Sequence, residues 1–92
     1  MKRVKHEELI KRAVKKKRII LGYKKVVKML KLHSDISTVI LAKNTPPEMR
    51  REIEHLAKLS QTPVEIFDGS GNELGSICGK PFPVTVVGII KG

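Results

Sequence analysis

The 92-residue sequence contains no tryptophan, and its only aromatic residues are Tyr23, Phe67 and Phe82. A core of stacked rings is thereby excluded, and the interior has to be aliphatic. Cysteine is equally scarce. Cys78 stands alone, so no internal disulfide can form, which suits a reducing compartment. A lone thiol of this kind reads as a small, half-buried packing residue rather than a reactive group. No run approaches the ~20 apolar residues that a membrane-spanning helix needs. The segment MKRVKHEELIKR is charged where a signal peptide would carry its apolar stretch. The expectation is an intracellular protein without a membrane partner.

Catalytic and metal-binding constellations are missing as well. His6, His33 and His55 lie 27 and 22 residues apart, with no carboxylate or cysteine cluster at ligand spacing. They are expected on the surface, and no metal site is expected. Nucleophile elbows, phosphate-binding loops and paired dinucleotide glycines are absent; GSGNELG is glycine-rich but reads better as a helix cap. The expectation is a protein that is not an enzyme, with no catalytic residue and no cofactor.

Acidic residues are nearly absent from the first third, and this scarcity is the most informative. Residues 1–31 hold thirteen Lys and Arg against Glu7 and Glu8, a balance of +11. The other 61 residues hold six basic and seven acidic side chains, so the net charge of +10 resides entirely in the N-terminal third. Such asymmetry points to a polyanionic partner, because phosphates gain binding free energy from neutralisation and counterion release.

Hydrophobic content of 40% and charged content of 30% describe a folded domain. The chain is long enough for one core, so residues 1–92 are read as a single domain with a basic first helix over 4–17. In that helix Leu9, Ile10, Ala13 and Val14 share one side. Ile19–Leu21 reads as a short strand, and Gly22 permits a close turn after it. Tyr23, Val26, Val27 and Leu30 recur at helical spacing, with Lys24, Lys28 and Lys31 opposite, in a helix ending near His33. ISTVILA, residues 36–42, is a central strand covered on both faces.

In KNTPPE, Thr45 and Glu48 match a capping box with Pro46 at the first helical position. Met49, Ile53, Leu56 and Ala57 form the buried face of the helix that follows, with Glu54 and Lys58 as an outer ion pair. PVEIF is a short strand opened by Pro63. Ser70 and Glu73 cap a brief helix from Gly71 to Cys78, which Gly79 ends. VTVVGII is the last strand. Helices alternating with continuous apolar strands predict an α/β layer fold, with helices on both faces of a small sheet.

Three connections remain: LGYKK and KNTPP at strand-to-helix junctions, and GKPFPV ahead of the final strand. In an α/β sandwich such junctions can meet at one end of the sheet, where ligands bind. That end would carry a helix N-terminus opened by Gly22, Lys24, the amide of Asn44 and the ring of Phe82. N–H groups and lysine suit phosphate, an amide suits a base edge, and a ring suits an unstacked base. The local pattern serves two readings of Asn44, base contact or turn-shaping before Thr45, and two of Phe82, base stacking or core cover.

LGYKKVVKML, VILAKNTPPEMRREIEHLAKLSQTPV and FDGSGNELGSICGKPFPVTVVGII together resemble the kink-turn RNA-binding family that includes the L-thirty-e and L-seven-Ae branches. The resemblance covers about residues 9–91, in order and with hardly a gap. Where the L-seven-Ae branch carries a Gly-Ala-Asn-Glu element, this chain has Gly22, Tyr23, Lys24 and Lys25, which suits the L-thirty-e branch. The resemblance implies a three-layer α/β/α sandwich with a small mixed sheet of about four strands. It implies a cytoplasmic protein of the large ribosomal subunit that binds a kink-turn in ribosomal RNA, has neighbouring ribosomal proteins as partners, and is a monomer when free. A guide-RNA or RNase P particle is the alternative setting, and non-specific coating of nucleic acid the alternative function. The family's RNA contacts fall on Gly22, Lys24, Asn44, Phe82 and Val84, with Tyr23, Lys25 and Lys28 beside them. Phosphates brought to the start of the second helix would then make Lys24 and Lys25 favourable where a free helix prefers acids.

Overall fold

Residues 2–32 and 36–91 are described by the structure, a computed structural model. Along the chain run α1 (Lys2–Lys15), β1 (Ile19–Leu21), α2 (Tyr23–Leu32), β2 (Ile36–Ala42), α3 (Pro47–Leu59), β3 (Val64–Phe67), α4 (Gly71–Ile77) and β4 (Val86–Ile90). The four strands form one sheet in the order β1-β4-β2-β3. Strand β4 runs antiparallel to both β1 and β2, while β2 and β3 are parallel.

Alternation along the strands separates two apolar layers. Ile40, Ala42, Phe67, Val87 and Ile89 face Ile10 and Ala13 of α1 and Leu74 and Cys78 of α4. Val39, Leu41 and Val86 face Val26, Val27 and Leu30 of α2 and Ile53 of α3. The result is a helix layer on each side of a mixed four-stranded sheet, an α/β/α sandwich. Strict alternation would turn Ile36 away from Val39 and Leu41. An irregularity in register between Ile36 and Thr38 restores it to their layer. Gly88 lets α2 approach β4, since a Cβ there would lie 3.3 Å from Val26 Cγ2.

Several boundaries and contacts differ from expectation, each for a local reason. Helix α1 stops at Lys15, short of the predicted Lys17. Lys17 takes φ 57°, while Arg18 N–H bonds to the Ala13 carbonyl and Lys17 N–H to the Val14 carbonyl. That pairing is a Schellman end. Helix α2 ends at Leu32, and His33 lies outside the described residues. Thr45 does not cap α3. Pro47 forces the residue before it to be extended, so Pro46 takes ψ 140° and becomes the N-cap, and Pro47 is the first helical residue. Thr45 is instead buried, its hydroxyl 2.7 Å from the Ala42 carbonyl and 3.2 Å from that of Thr85.

On the outside of α3, Glu54 pairs with Arg50, at 3.0 Å, rather than with Lys58. The Ser70–Glu73 capping box is present, in both of its bonds. The last strand begins at Val86 because Val84 N–H bonds to the Gly71 carbonyl, 2.9 Å away, instead of to the sheet. His6 corrects the surface assignment: it is 3% exposed, with Nε2 lying 3.2 Å from Glu65 Oε1. It follows the same stripe as Ile10 and Ala13, at i, i+4 and i+7, and so docks α1 on β3. Cys78 is 3% exposed, and burial pushes its thiol up to about 11 against the opposing charge of Lys80. It packs in the core, as expected of an unreactive thiol.

Candidate nucleic-acid interface

Since β4 opposes β1 and β2, and β2 parallels β3, the C-terminal ends of β1, β2 and β3 and the N-terminal end of β4 lie at the same end of the sheet. Gly22, residues 43–46 and the segment leading into Val86 therefore share one edge, the place where open α/β sheets bind ligands.

Gly22 is both the end of β1 and the start of α2. Its N–H bonds to the Val86 carbonyl at 2.9 Å, and its own carbonyl accepts the first helical bond, from Val26 N–H at 3.1 Å. The turn demands φ +106°, a conformation that glycine adopts without steric cost. The N–H groups of Tyr23, Lys24 and Lys25 precede that first helical bond, and the first turn of α2 carries no acidic residue. A positive helix end is thus augmented by lysine instead of neutralised.

Facing this turn is the segment Lys80–Thr85. Gly22, Lys25, Lys80, Phe82, Pro83 and Val84 line an open cleft of about 630 Å³. Phe82 is 53% exposed between Pro81 and Pro83, so it does not cover the core. Leaving about half of such a ring in water forgoes about half of the roughly 1.5–3 kcal/mol that full burial would contribute. Its backbone is held from behind by α4: a Cβ at Gly75 would lie 2.2 Å from the Phe82 carbonyl oxygen, so glycine alone permits the crossing. Val84 lines the cleft but is 4% exposed, its side chain belonging to the core.

Asn44 lies beside the cleft. Its Oδ1 accepts from Gly71 N–H at 3.0 Å, satisfying the first orphan donor of α4. Gly71 in turn carries the bond from Val84 N–H, so the Asn44 side chain and the Phe82 segment are fixed to one helix end. The oxygen being committed, the two Nδ2 donors of this exposed side chain are what Asn44 offers outward. Turn-shaping before Thr45 is not its role; that turn is made by Thr45, whose N–H and hydroxyl both reach the Ala42 carbonyl.

The sequence-predicted residues divide between two places. Gly22, Lys25, Phe82 and Val84 come together at the cleft, with Asn44 adjoining. Tyr23, Lys24 and Lys28 line a shallower apolar groove with Val27, Lys31 and Leu32 on the outside of α2. Tyr23 donates to the Glu52 carboxylate on α3, and that bond, then burial and the Glu52 charge, raise its phenol above the usual value. Lys25 rather than Lys24 is the lysine beside Gly22. Lys80, Gly71 and Gly75 were not singled out from sequence; GKPFPV contained Lys80, but nothing local distinguished it. Among the described residues no group of His, Cys, Asp and Glu could hold a metal ion, and no helix is long and apolar enough to cross a membrane.

Similarity to known proteins agrees with this geometry. Large ribosomal subunit protein eL30 of Methanosphaera stadtmanae is 46% identical over 81 residues, 88% of this chain and 82% of that protein. Large ribosomal subunit protein eL30 of Candida albicans is 46% identical over 77 residues, 84% of this chain and 72% of that one. Among solved structures, the Giardia lamblia 15.5kD RNA binding protein superposes with a TM-score of 0.85 at 24% identity, covering 97% of this chain and 73% of the other, a match of fold. The family model described as Ribosomal protein L7Ae/L30e/S12e/Gadd45 family matches residues 4–92, and with relatives this similar over most of its length the chain belongs to that family.

Proposed function

We propose that the chain is a protein of the large ribosomal subunit that grips a kink-turn in ribosomal RNA through the junction end of its sheet, the whole chain acting as one RNA-binding domain. The observation that carries this reading is the oriented amide of Asn44, tied through Gly71 to the segment of exposed Phe82, which shares a cleft with the glycine-opened helix start. A sharply bent duplex splays bases and crowds phosphates together. The N–H groups and lysines around Gly22 suit the phosphates, Phe82 offers a face to an unstacked base, and the Nδ2 donors of Asn44 suit a base edge presenting acceptors. Lys24 and Lys28 extend the positive surface along α2 towards the flanking backbone. Tyr23 sets the start of α2 against α3 through Glu52, and Val84 supports the Phe82 segment from the core.

The family is one of structural, non-enzymatic proteins, and the chain is not an enzyme. The relatives named as eL30 support a place in the large subunit of the cytoplasmic ribosome, with ribosomal RNA and neighbouring ribosomal proteins as partners. Sedimentation of tagged protein with large subunits through a salt-washed sucrose gradient tests the ribosomal part. Recovery in the large-subunit fraction is expected; recovery only with small guide-RNA or RNase P particles would replace it.

A further inference from the structure

The cations of the first third occupy two surfaces that face in different directions. Lys24, Lys25 and Lys28 ride on α2, on one side of the sheet, whereas Lys11, Arg12, Lys15 and Lys16 line an open concavity on α1, on the other side. They also sit at opposite ends of β1, which Arg18 precedes and Gly22 follows. Ile90 N–H bonds to the Arg18 carbonyl at 2.9 Å, which brings exposed Lys91 to the α1 group. The molecule measures 29 × 29 × 25 Å, and α1 packs on the face of the sheet opposite α2.

Lys11, Arg12, Lys15, Lys16, Lys17 and Arg18 are all exposed, and none has an ion-pair partner among the described residues. Glu7 and Glu8, one turn upstream of Lys11 and Arg12, form no pair with them. The helix dipole favours cations in the last turn alone, so Lys11, Lys17 and Lys91 need another reason. Lys17 is the clearest case. Lys17 takes φ 57° in the left-handed position of a Schellman pairing, where α4 has Gly79 at φ 75° and α3 has Gln61 at φ 56°. A lysine accepts the Cβ penalty that glycine would avoid. Like charges that repel one another in the free protein, one of them held at a conformational cost, suit a phosphate backbone. Apart from buried His6, residues 5–18 hold no aromatic or amide side chain, so this surface has no ring to stack on a base, and its exposed donors are cations that suit phosphate oxygens.

We propose that the outer face of α1 is a second RNA-binding surface, which takes the phosphate backbone of an RNA segment other than the one held at the junction end, so that the protein ties two RNA segments together. This rests on the reading of the chain as an RNA-binding ribosomal protein. The α1 cations serve a contact separate from that of α2.

The test uses the full chain, a kink-turn RNA and a labelled straight RNA duplex. With the kink-turn at saturation, titrated duplex should still bind, giving a complex of one protein and two RNAs by analytical ultracentrifugation. The variant carrying Lys11→Gln, Arg12→Gln, Lys15→Gln and Lys16→Gln should lose duplex affinity at least about tenfold and lower its salt slope by about 3 to 4, while kink-turn affinity changes less than about twofold. Lys17→Gly should raise the melting temperature yet weaken duplex binding, an opposition that a purely structural role does not produce. Equal losses for both RNAs, or duplex binding indifferent to the substitutions, would overturn the proposal. So would capture of an acidic peptide on this face in place of duplex. The wild-type preference for a kink-turn, measured without the second duplex, reports separately on the junction reading.

Discussion

Asn44 is predicted to do two jobs with two ends of one amide, and two substitutions separate them. Asn44→Ala removes the acceptor for Gly71 N–H, a part-buried bond of 3.0 Å at the start of α4. Loss of such a bond costs about 0.5–1.5 kcal/mol of stability, which in a domain of this size lowers the melting temperature by roughly 2–12 °C. The same change removes the Nδ2 donors, costing about 1–3 kcal/mol of kink-turn binding, or about 5- to 150-fold in Kd. Affinity for straight duplex should hardly change. Asn44→Asp keeps an oxygen for Gly71 N–H and places negative charge at a helix N-terminus, so the melting temperature should stay within a few degrees of the original. It has no donors to offer a base edge and repels the phosphates, so kink-turn binding should fall at least as far as in the alanine variant. Differential scanning fluorimetry beside two RNA titrations reads all of this. An Asp variant that is folded and binds the kink-turn as tightly as the parent would refute the base-reading role of the Nδ2 donors.

Gly75→Ala should displace the Phe82 segment, because a Cβ there meets a backbone oxygen at 2.2 Å that has no side-chain freedom to yield. A loss of about 1–3 kcal/mol of stability is expected, with kink-turn binding weakened beyond what the unfolded fraction explains; thermal melts and titrations decide it. Cys78 should resist iodoacetamide in the native protein at pH 8 and react readily once unfolded, since its thiol is buried and raised to about 11. The folded state holds that proton through a pH range in which the unfolded state releases it. Cys78 therefore contributes stability below pH ~8.5, and denaturant melts should show that contribution disappearing as pH rises towards 11. Phe82→Ala should leave the melting temperature nearly unchanged, because the ring is 53% exposed, yet reduce kink-turn affinity by about 1–3 kcal/mol of lost stacking.

Elements with a strong period were legible in the sequence. Val26, Val27 and Leu30 are the buried face of α2, ISTVILA is the central strand β2, and Ser70 with Glu73 does cap α4. The misses share a cause: local patterns with two physical solutions, settled by contacts far along the chain. Thr45-x-x-Glu48 fits a capping box, but two consecutive prolines and the carbonyl of Thr85, forty residues on, draw the hydroxyl inward. His6 is polar by type and buried by position; its spacing to Ile10 and Ala13 carried the signal, and Glu65 across the layer makes the burial tolerable. At the candidate site, Gly22, Asn44 and Phe82 stood out because special backbone, amide and exposed-aromatic chemistry is readable from residue type. The choice of Lys25 over Lys24 for the cleft depends on where α2 starts its first turn. The support that Gly75 gives Phe82 depends on how α4 crosses the segment ahead of β4. Neither is encoded within a short window.

The central claim, that the junction end recognises bent RNA rather than charge alone, is tested most directly by the unmodified protein's Kd for a kink-turn and for a straight duplex of equal length and charge. The measurement belongs at near-physiological salt and at a higher concentration. Both affinities should fall steeply with salt, because Lys24, Lys25, Lys28 and Lys80 meet the kink-turn phosphates and the α1 cations meet the duplex. The kink-turn should remain preferred by about tenfold or more, at least 1.4 kcal/mol, at both concentrations. Equal affinity for the two RNAs at each salt would contradict the account and leave a basic domain that coats nucleic acid without reading its shape.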